Sequence, residues 1–321
     1  METPLLSIYC CLVYAEAERA LQARIPVGIS VACSHDCADE AEQLRNFLTA
    51  DIVFGNPPLK WLEQADRLRW LQLESVGIDP YRNGADSLWS KRVVVTNLKA
   101  FFGPPVAETL VAGVLSLNRG LSQLADCKRE VRWAHKEIRS SLRLLHGSSA
   151  IVLGAGSIGL HVKRILDGFG VSTAVYARTA SIATLTSLEA LDKTLPQVDV
   201  VFSCLPDTDE TCRLFDDERL RRMRVGAVFV NGGRGSVVDE DALVGVLTTG
   251  HLSGAVLDVT QVEPLPAQHP FWTCPNIILT QHTGGGFVDE ISAKVELFVS
   301  NLERFIAADS LRNVVELSAN Y

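Results

Sequence analysis

Short apolar runs alternate with stretches of helical periodicity almost throughout the chain. In the first third, Ser7 to Val13, Val27 to Val31, Asp51 to Phe54 and Leu71 to Leu73 read as strands, and Lys91 to Thr96 closes the region. Between them, Ala15 to Arg24 and Asp39 to Thr49 space their apolar residues as amphipathic helices do. Strand–helix–strand alternation of this kind predicts a mostly parallel sheet. Phe102-Gly103-Pro104-Pro105 then breaks the pattern. After it, Val106 to Arg119 predicts a long apolar helix with Leu110, Val114 and Leu117 on one face. The polar stretch Ser122 to Arg143, which carries Trp133, reads as an arm reaching toward a partner subunit.

A second, better-marked series runs from Ala150 to about Gly286. Its predicted strands are Ala150 to Leu153, Ser172 to Ala177, Val198 to Ser203, Ala227 to Val230, Gly254 to Asp258 and Ile277 to Thr280. Six such strands fit a doubly wound dinucleotide fold. Val288 to Ala307 predicts a final helix that returns to the first region. The boundaries expected are 1–99 with 288–321 for one domain and 100–287 for the other.

The first strand of the second series leads into Gly154-Ala155-Gly156-Ser157-Ile158-Gly159, and a helix follows through Leu166. A bare GxGxxG is common, but between a strand and a helix it is a dinucleotide fingerprint. Gly154 allows the tight turn, Gly156 the close approach of backbone to a pyrophosphate, and Gly159 the packing of helix on strand. The helix N-terminus offers N–H groups to phosphate. An acidic residue is expected at the end of the next strand, to bind ribose hydroxyls. The sequence there is Val175-Tyr176-Ala177-Arg178-Thr179, so alanine replaces the acid and arginine follows. A carboxylate would repel a 2′-phosphate, whereas a guanidinium pairs with one. NADP(H) is therefore expected in preference to NADH, with Arg178 and Thr179 at the phosphate.

Composition bounds the reading further. The chain has 321 residues, 47% hydrophobic and 21% charged, with a net charge of −8. That length suits two domains and a core that needs no disulfide staples. No Lys/Arg stripe points to nucleic acid. Met1-Glu2-Thr3-Pro4 supplies no basic region before the run Leu5 to Val13, which is too short for a membrane span. A cytoplasmic protein with no membrane partner is expected. The eight cysteines lack a framework spacing; Cys33-Ser34-His35-Asp36-Cys37 is the cluster closest to a metal site, but no second ligand pair stands at zinc spacing. Reduced structural thiols and no metal are expected.

Three later segments place a polar residue near the C-terminal end of a predicted strand, where open α/β sheets bind ligands. They are Val230-Asn231-Gly232-Gly233-Arg234-Gly235, Asp258-Val259-Thr260-Gln261-Val262-Glu263-Pro264 and Thr280-Gln281-His282-Thr283-Gly284-Gly285. Each is unremarkable alone; their order after a dinucleotide fingerprint is not. Together they resemble the D-isomer-specific 2-hydroxyacid dehydrogenase family, and the likeness extends over nearly the whole chain. Leu68-Arg69-Trp70-Leu71-Gln72 through Ser75-Val76-Gly77-Ile78-Asp79 looks like that family's substrate-domain turn. Phe102 to Glu108 looks like the start of its cofactor domain, Leu205-Pro206-Asp207-Thr208-Asp209-Glu210-Thr211 like a cofactor-domain loop, and His269-Pro270 to Asn276 like the approach to its histidine.

The resemblance implies a Rossmann-type doubly wound parallel sheet inserted into a smaller flavodoxin-like α/β substrate domain. It implies that Arg234 binds the substrate carboxylate and reacting oxygen, that His282 is the general acid, and that Glu263 holds it. Val76 and Gly77 would offer backbone N–H groups to the carboxylate. Asp258 would bind the nicotinamide carboxamide. Gly154, Gly156, Ser157, Ile158, Gly159, Leu205, Pro206, Thr211, Gly232, Gly233, His282 and Gly284 would face the cofactor. The chemistry agrees, because hydride arriving at a carbonyl carbon leaves negative charge on oxygen, which a proton donor and a fixed cation stabilise. Gln281 stands where the family commonly has proline before the histidine, so a less firmly placed imidazole is expected.

The serine-valine-glycine turn and basic cofactor end look most like the glyoxylate/hydroxypyruvate reductase branch, so a small 2-oxo acid is the expected substrate. Aromatic 2-oxo acids, a specialised 2-hydroxy acid used with NAD, and an oxyacid such as phosphite stay open. So does a non-catalytic dinucleotide sensor of the same fold that binds a protein partner. The resemblance also implies a homodimer through the cofactor domain, with Val106 to Arg143 as its surface and Trp133 as an anchor buried by the partner.

Overall fold

A computed structural model describes residues 6–12 and 14–317. Val13, the last residue of the first expected strand, lies outside the described residues, as do Met1 to Leu5. The chain forms two compact units, Met1–Phe101 with Phe287–Asn320, and Phe102–Gly286.

In the first unit, strands β1 (Leu6–Cys10), β2 (Ile29–Cys33), β3 (Ile52–Phe54), β4 (Trp70–Gln72) and β5 (Val94–Thr96) alternate with helices α1 (Ala15–Gln22), α2 (Glu40–Leu48) and α3 (Leu59–Leu62). The sheet order is β2-β1-β3-β4-β5, all parallel. This is the flavodoxin-like order. β3 and β4 are buried on both faces, as a parallel sheet covered by helices requires. β5 is shorter than the apolar run suggested, because the N–H groups of Arg92 and Val93 bond to the Trp89 carbonyl in a turn. β2 likewise starts only after Gly28, which has φ +95°.

The second unit opens with α4 (Gly103–Asn118). Phe102-Gly103-Pro104-Pro105 is thus the start of a helix rather than a break before one. Prolines fit the first helical turn, where no N–H has an intrahelical partner. Leu110 and Val114 are fully buried against α7 and the sheet, so the apolar face of α4 is used within its own unit. α5 (Leu121–Arg129) and α6 (His135–Arg139) follow, and between them Val131 and Trp133 are each 93% exposed.

The series then runs β6 (Ser149–Leu153), α7 (Ser157–Gly168), β7 (Ser172–Tyr176), α8 (Leu188–Thr194), β8 (Val200–Ser203), α9 (Asp217–Arg222), β9 (Val228–Asn231), α10 (Glu240–Thr248), β10 (Gly254–Leu257) and β11 (Ile277–Leu279). The six strands are parallel in the order β11-β10-β9-β8-β6-β7. One more strand position was not read from the sequence. Leu185 bridges Tyr176 in parallel at the edge beside β7. Counting that bridge as third in chain order gives the 3-2-1-4-5-6 arrangement of doubly wound dinucleotide folds, with β11 added. The switch point falls between β6 and β8.

The last helix, α11 (Glu290–Ile306), packs back in the first unit. Its Phe298 stacks on Phe54 at 4.5 Å and on Trp70 at 5.1 Å between ring centroids. Among the described residues, no helix is long and apolar enough to cross a membrane.

Candidate active site

Register, more than any single residue, assembles the site. Leu153 pairs with Tyr176 and Ser203, Ser203 with Asn231, Asn231 with Leu257, and Leu257 with Leu279. The six strands therefore end in one row. The segments that follow them, at 154, 177, 204, 232, 258 and 280, share one edge of the sheet. That is the edge where open α/β sheets bind ligands.

At the switch point, Gly154 takes φ +101°, and a side chain there would meet the Cys204 carbonyl at 2.8 Å. A side chain at Gly159 would lie 1.9 Å from the Gly154 carbonyl oxygen, so only glycine lets α7 sit this close to β6. Gly156 is the N-cap of α7, provides no capping side chain, and has nothing within 4 Å of the position a side chain would take. Ser157 and Ile158 begin the helix behind it. An uncapped N-terminus with open space before it fits a pyrophosphate, which would satisfy the N–H groups that helix ends leave unpaired.

Beyond β7, Ala177 is half-buried while Arg178 and Thr179 are exposed. The Arg178 guanidinium pairs with Glu210, from the loop after β8. In that loop Leu205 is buried in the core and Pro206 is half-buried. The Thr211 hydroxyl bonds to the Pro206 carbonyl at 2.7 Å and accepts from the Thr208 N–H at 3.0 Å, so it braces the loop.

The three loops after β9, β10 and β11 lock together. Asn231, fully buried, donates from its amide to the Arg234 carbonyl at 2.9 Å and accepts from the Gly233 N–H at 3.2 Å. That fixes Gly232, Gly233 and Arg234, whose half-buried guanidinium donates to the Gly233 carbonyl at 2.9 Å. A side chain on Gly235 would lie 2.0 Å from the Thr260 backbone, so the arginine loop abuts the glutamate loop. A side chain on Gly284 would lie 2.7 Å from Asp258 Oδ2, which sets the histidine loop against the same strand end. Asp258 is buried, and its Oδ1 accepts from Thr280 Oγ1 at 2.5 Å and from the Gly284 N–H at 3.0 Å.

Glu263 uses both carboxylate oxygens. Oε1 accepts from the Thr260 N–H at 3.0 Å, and Oε2 is 2.6 Å from His282 Nδ1. Such a pair fixes the ring and leaves Nε2 to exchange protons. Both groups line a cavity of about 420 Å³ with Leu257, Leu265, Trp272 and Leu279. Gln281 and His282 have φ +52° and +56°, two successive left-handed residues that are not glycine. Proline, held near φ −65°, could not occupy position 281 in this conformation. The imidazole is nonetheless held by Glu263, and the backbone that carries it is fixed by the His282 main-chain N–H, which donates to the Asp258 carbonyl at 2.6 Å.

Asn231, Thr280 and Glu240 were not singled out as site residues from the sequence. Glu240 is buried, accepts from the Gln261 N–H at 2.8 Å and pairs with His269 at 3.1 Å, bracing the glutamate loop. These groups hydrogen-bond to neighbouring loops; Asn231 and Thr280 stand at strand ends, whereas Glu240 opens α10. In the first unit, Val76 and Gly77 follow β4. The Val76 carbonyl accepts from the Asn97 amide, and the Gly77 carbonyl from Ser75 Oγ, each at 2.8 Å.

Cys33, His35 and Asp36 have ligand atoms within 4.8 Å of one another. His35 Nε2 is already shared by Glu18 at 3.1 Å and Asp36 at 3.2 Å. Its Nδ1 is buried without a partner, whereas a metal-bound imidazole ordinarily donates from its second nitrogen. The donor set lacks that outer bond.

Fold and site together describe an oxidoreductase with a dinucleotide-binding unit. Residues 111–284 match the pattern of the D-isomer specific 2-hydroxyacid dehydrogenase NAD binding domain. Glyoxylate/hydroxypyruvate reductase B of Enterobacter sp. (strain 638) is 30% identical over 81% of this chain and 81% of its own. Among solved structures, a D-isomer specific 2-hydroxyacid dehydrogenase family protein of Aeromonas salmonicida superposes with a TM-score of 0.83 at 29% identity, covering 97% of this chain and 99% of its own. The 2-hydroxyacid dehydrogenase of Ketogulonicigenium vulgare superposes with a TM-score of 0.82 at 26% identity, covering 99% and 100%. This chain belongs to the D-isomer specific 2-hydroxyacid dehydrogenase family.

Proposed function

We propose that the protein reduces a small 2-oxo acid, of the glyoxylate or hydroxypyruvate type, to the D-2-hydroxy acid, with NADP(H) preferred over NAD(H). The observation that carries the reading is the 2.6 Å contact of His282 Nδ1 with Glu263, on the same sheet edge as the uncapped N-terminus of α7. The nicotinamide supplies the hydride when bound. His282, oriented by Glu263, gives the proton from Nε2 to the carbonyl oxygen as negative charge develops there. Arg234 anchors the substrate carboxylate with its planar fork. Asp258 orients the carboxamide. Ala177 leaves no carboxylate at the end of β7, which favours a 2′-phosphate beside Arg178 and Thr179.

Residues 1–99 with 288–321 serve in this reading as the substrate domain, and 100–287 as the cofactor domain. The apolar lining contributed by Leu257, Leu265, Trp272 and Leu279 favours a second reading, in which the 2-oxo acid carries a larger apolar side chain. One experiment tests both. Glyoxylate, hydroxypyruvate, pyruvate and phenylpyruvate are assayed with NADPH and with NADH. Highest kcat/KM for glyoxylate or hydroxypyruvate with NADPH is expected. A clear preference for NADH would overturn the cofactor assignment, and inactivity with all four acids would favour a dinucleotide sensor.

A further inference from the structure

The pair formed by Arg178 and Glu210 bears on how the cofactor is chosen. Arg178 follows the end of β7, where Ala177 replaces the usual acid. Glu210 comes from the loop after β8, on the other side of the switch point. Their side chains are 55% and 68% exposed, so each can leave the pair for water or for a ligand. Exposed ion pairs are weak, too weak to hold Arg178 against a phosphate dianion. They are nevertheless strong enough to weaken a ligand that must displace them.

We propose that Glu210 is a specificity-determining residue that competes with the 2′-phosphate of NADP(H) for Arg178. The carboxylate neutralises Arg178 when no phosphate is present. A 2′-phosphate takes its place on the guanidinium fork and releases Glu210 to solvent. Glu210 therefore lowers the preference for the phosphorylated cofactor that Ala177 and Arg178 would otherwise produce. A ligand without the 2′-phosphate has no reason to disturb the pair, so Glu210 leaves its affinity unchanged. The inference rests on the proposed NADP(H) reading, and its test separates the two.

Adenosine 2′,5′-bisphosphate and ADP, which carry no nicotinamide, are titrated calorimetrically into the wild-type protein, Glu210→Gln, Arg178→Ala and the double variant; NADPH and NADH binding is followed by fluorescence. Glu210→Gln is expected to tighten adenosine 2′,5′-bisphosphate and NADPH about threefold to tenfold, with ADP and NADH unchanged. Arg178→Ala is expected to weaken the phosphorylated ligands, and adding Glu210→Gln to it should restore less than the single variant gains, because the pair acts as a unit. Loss of phosphorylated-ligand affinity in Arg178→Ala with no change in Glu210→Gln would overturn the role of Glu210 and leave the NADP(H) reading standing. No effect of Arg178→Ala on any ligand would overturn both. Equal tightening by Glu210→Gln with and without Arg178 would show plain charge repulsion and overturn the competition.

Discussion

At the residue scale, the histidine loop differs most from what its composition suggested. Gln281 in place of proline reads as a loss of stiffness. Its φ of +52° instead makes proline the residue that would not fit. Two left-handed non-glycine residues in succession cost on the order of 1 kcal/mol each. Here they turn the imidazole toward Glu263. Gln281→Pro is therefore expected to lower kcat about tenfold or more, by moving the ring off the 2.6 Å contact, while a nicotinamide-fluorescence titration shows cofactor affinity little changed. Wild-type turnover in that variant would refute the link between this backbone and the histidine. His282→Asn goes further, because it removes the proposed proton donor. kcat should fall about a hundredfold to ten-thousandfold with cofactor affinity retained; steady-state kinetics beside the same titration checks it.

At the element scale, the loop ends are held by caps whose charge matters. Asp239 caps α10, accepting from the Ala242 N–H at 3.1 Å. Its pKa is held below the ordinary carboxylate value, first by the Arg213 guanidinium and then by the Ala242 N–H. A carboxyl depressed in the folded state contributes stability above its unfolded pKa of about 3.9 and loses it as pH falls through the folded value. Asp239→Ala should thus cost about 1 kcal/mol at neutral pH. The deficit in melting temperature should be smaller at pH 3 than at neutral pH, because the contribution begins to be lost below the unfolded pKa of about 3.9. An equal deficit at both pH values would argue against the ionic part of the cap. α4 makes a similar point about elements, since Pro104 and Pro105 are breakers in the middle of a helix and starters in its first turn.

At the scale of the whole molecule, the segment after α4 leaves large apolar side chains uncovered. Leu110 and Val114 are used within the second unit, but Val131 and Trp133 are 93% exposed, with Leu121 and Leu124 about half so. Large apolar side chains grouped in this way mark interaction surfaces. A homodimer formed through this segment, with Trp133 as the anchor, is the expected assembly. Light scattering should give twice the 35.0 kDa chain mass, and Trp133→Glu should give 35.0 kDa. A monomeric wild type would remove the proposal. A dimer that survives the substitution would place its interface elsewhere.

The sequence by itself determined the alternation of elements, the glycine turn before α7, and the order in which arginine, glutamate and histidine follow their strands. Periodicity and turn chemistry are local, so they can be read locally. It did not reveal the Leu185 bridge, whose hydrogen bonds exist only beside Tyr176, nor the supports Asn231, Thr280 and Glu240, which matter only where separate loops meet. Boundaries such as those of β2 and β5 also moved, because a neighbouring turn took the backbone hydrogen bonds that an apolar run alone would assign to a strand. Only the tertiary structure decided that Arg178 faces Glu210 and set the Glu263–His282 contact at 2.6 Å, since each pair joins loops from different strands, placed by strand register and by the loops' own hydrogen bonds.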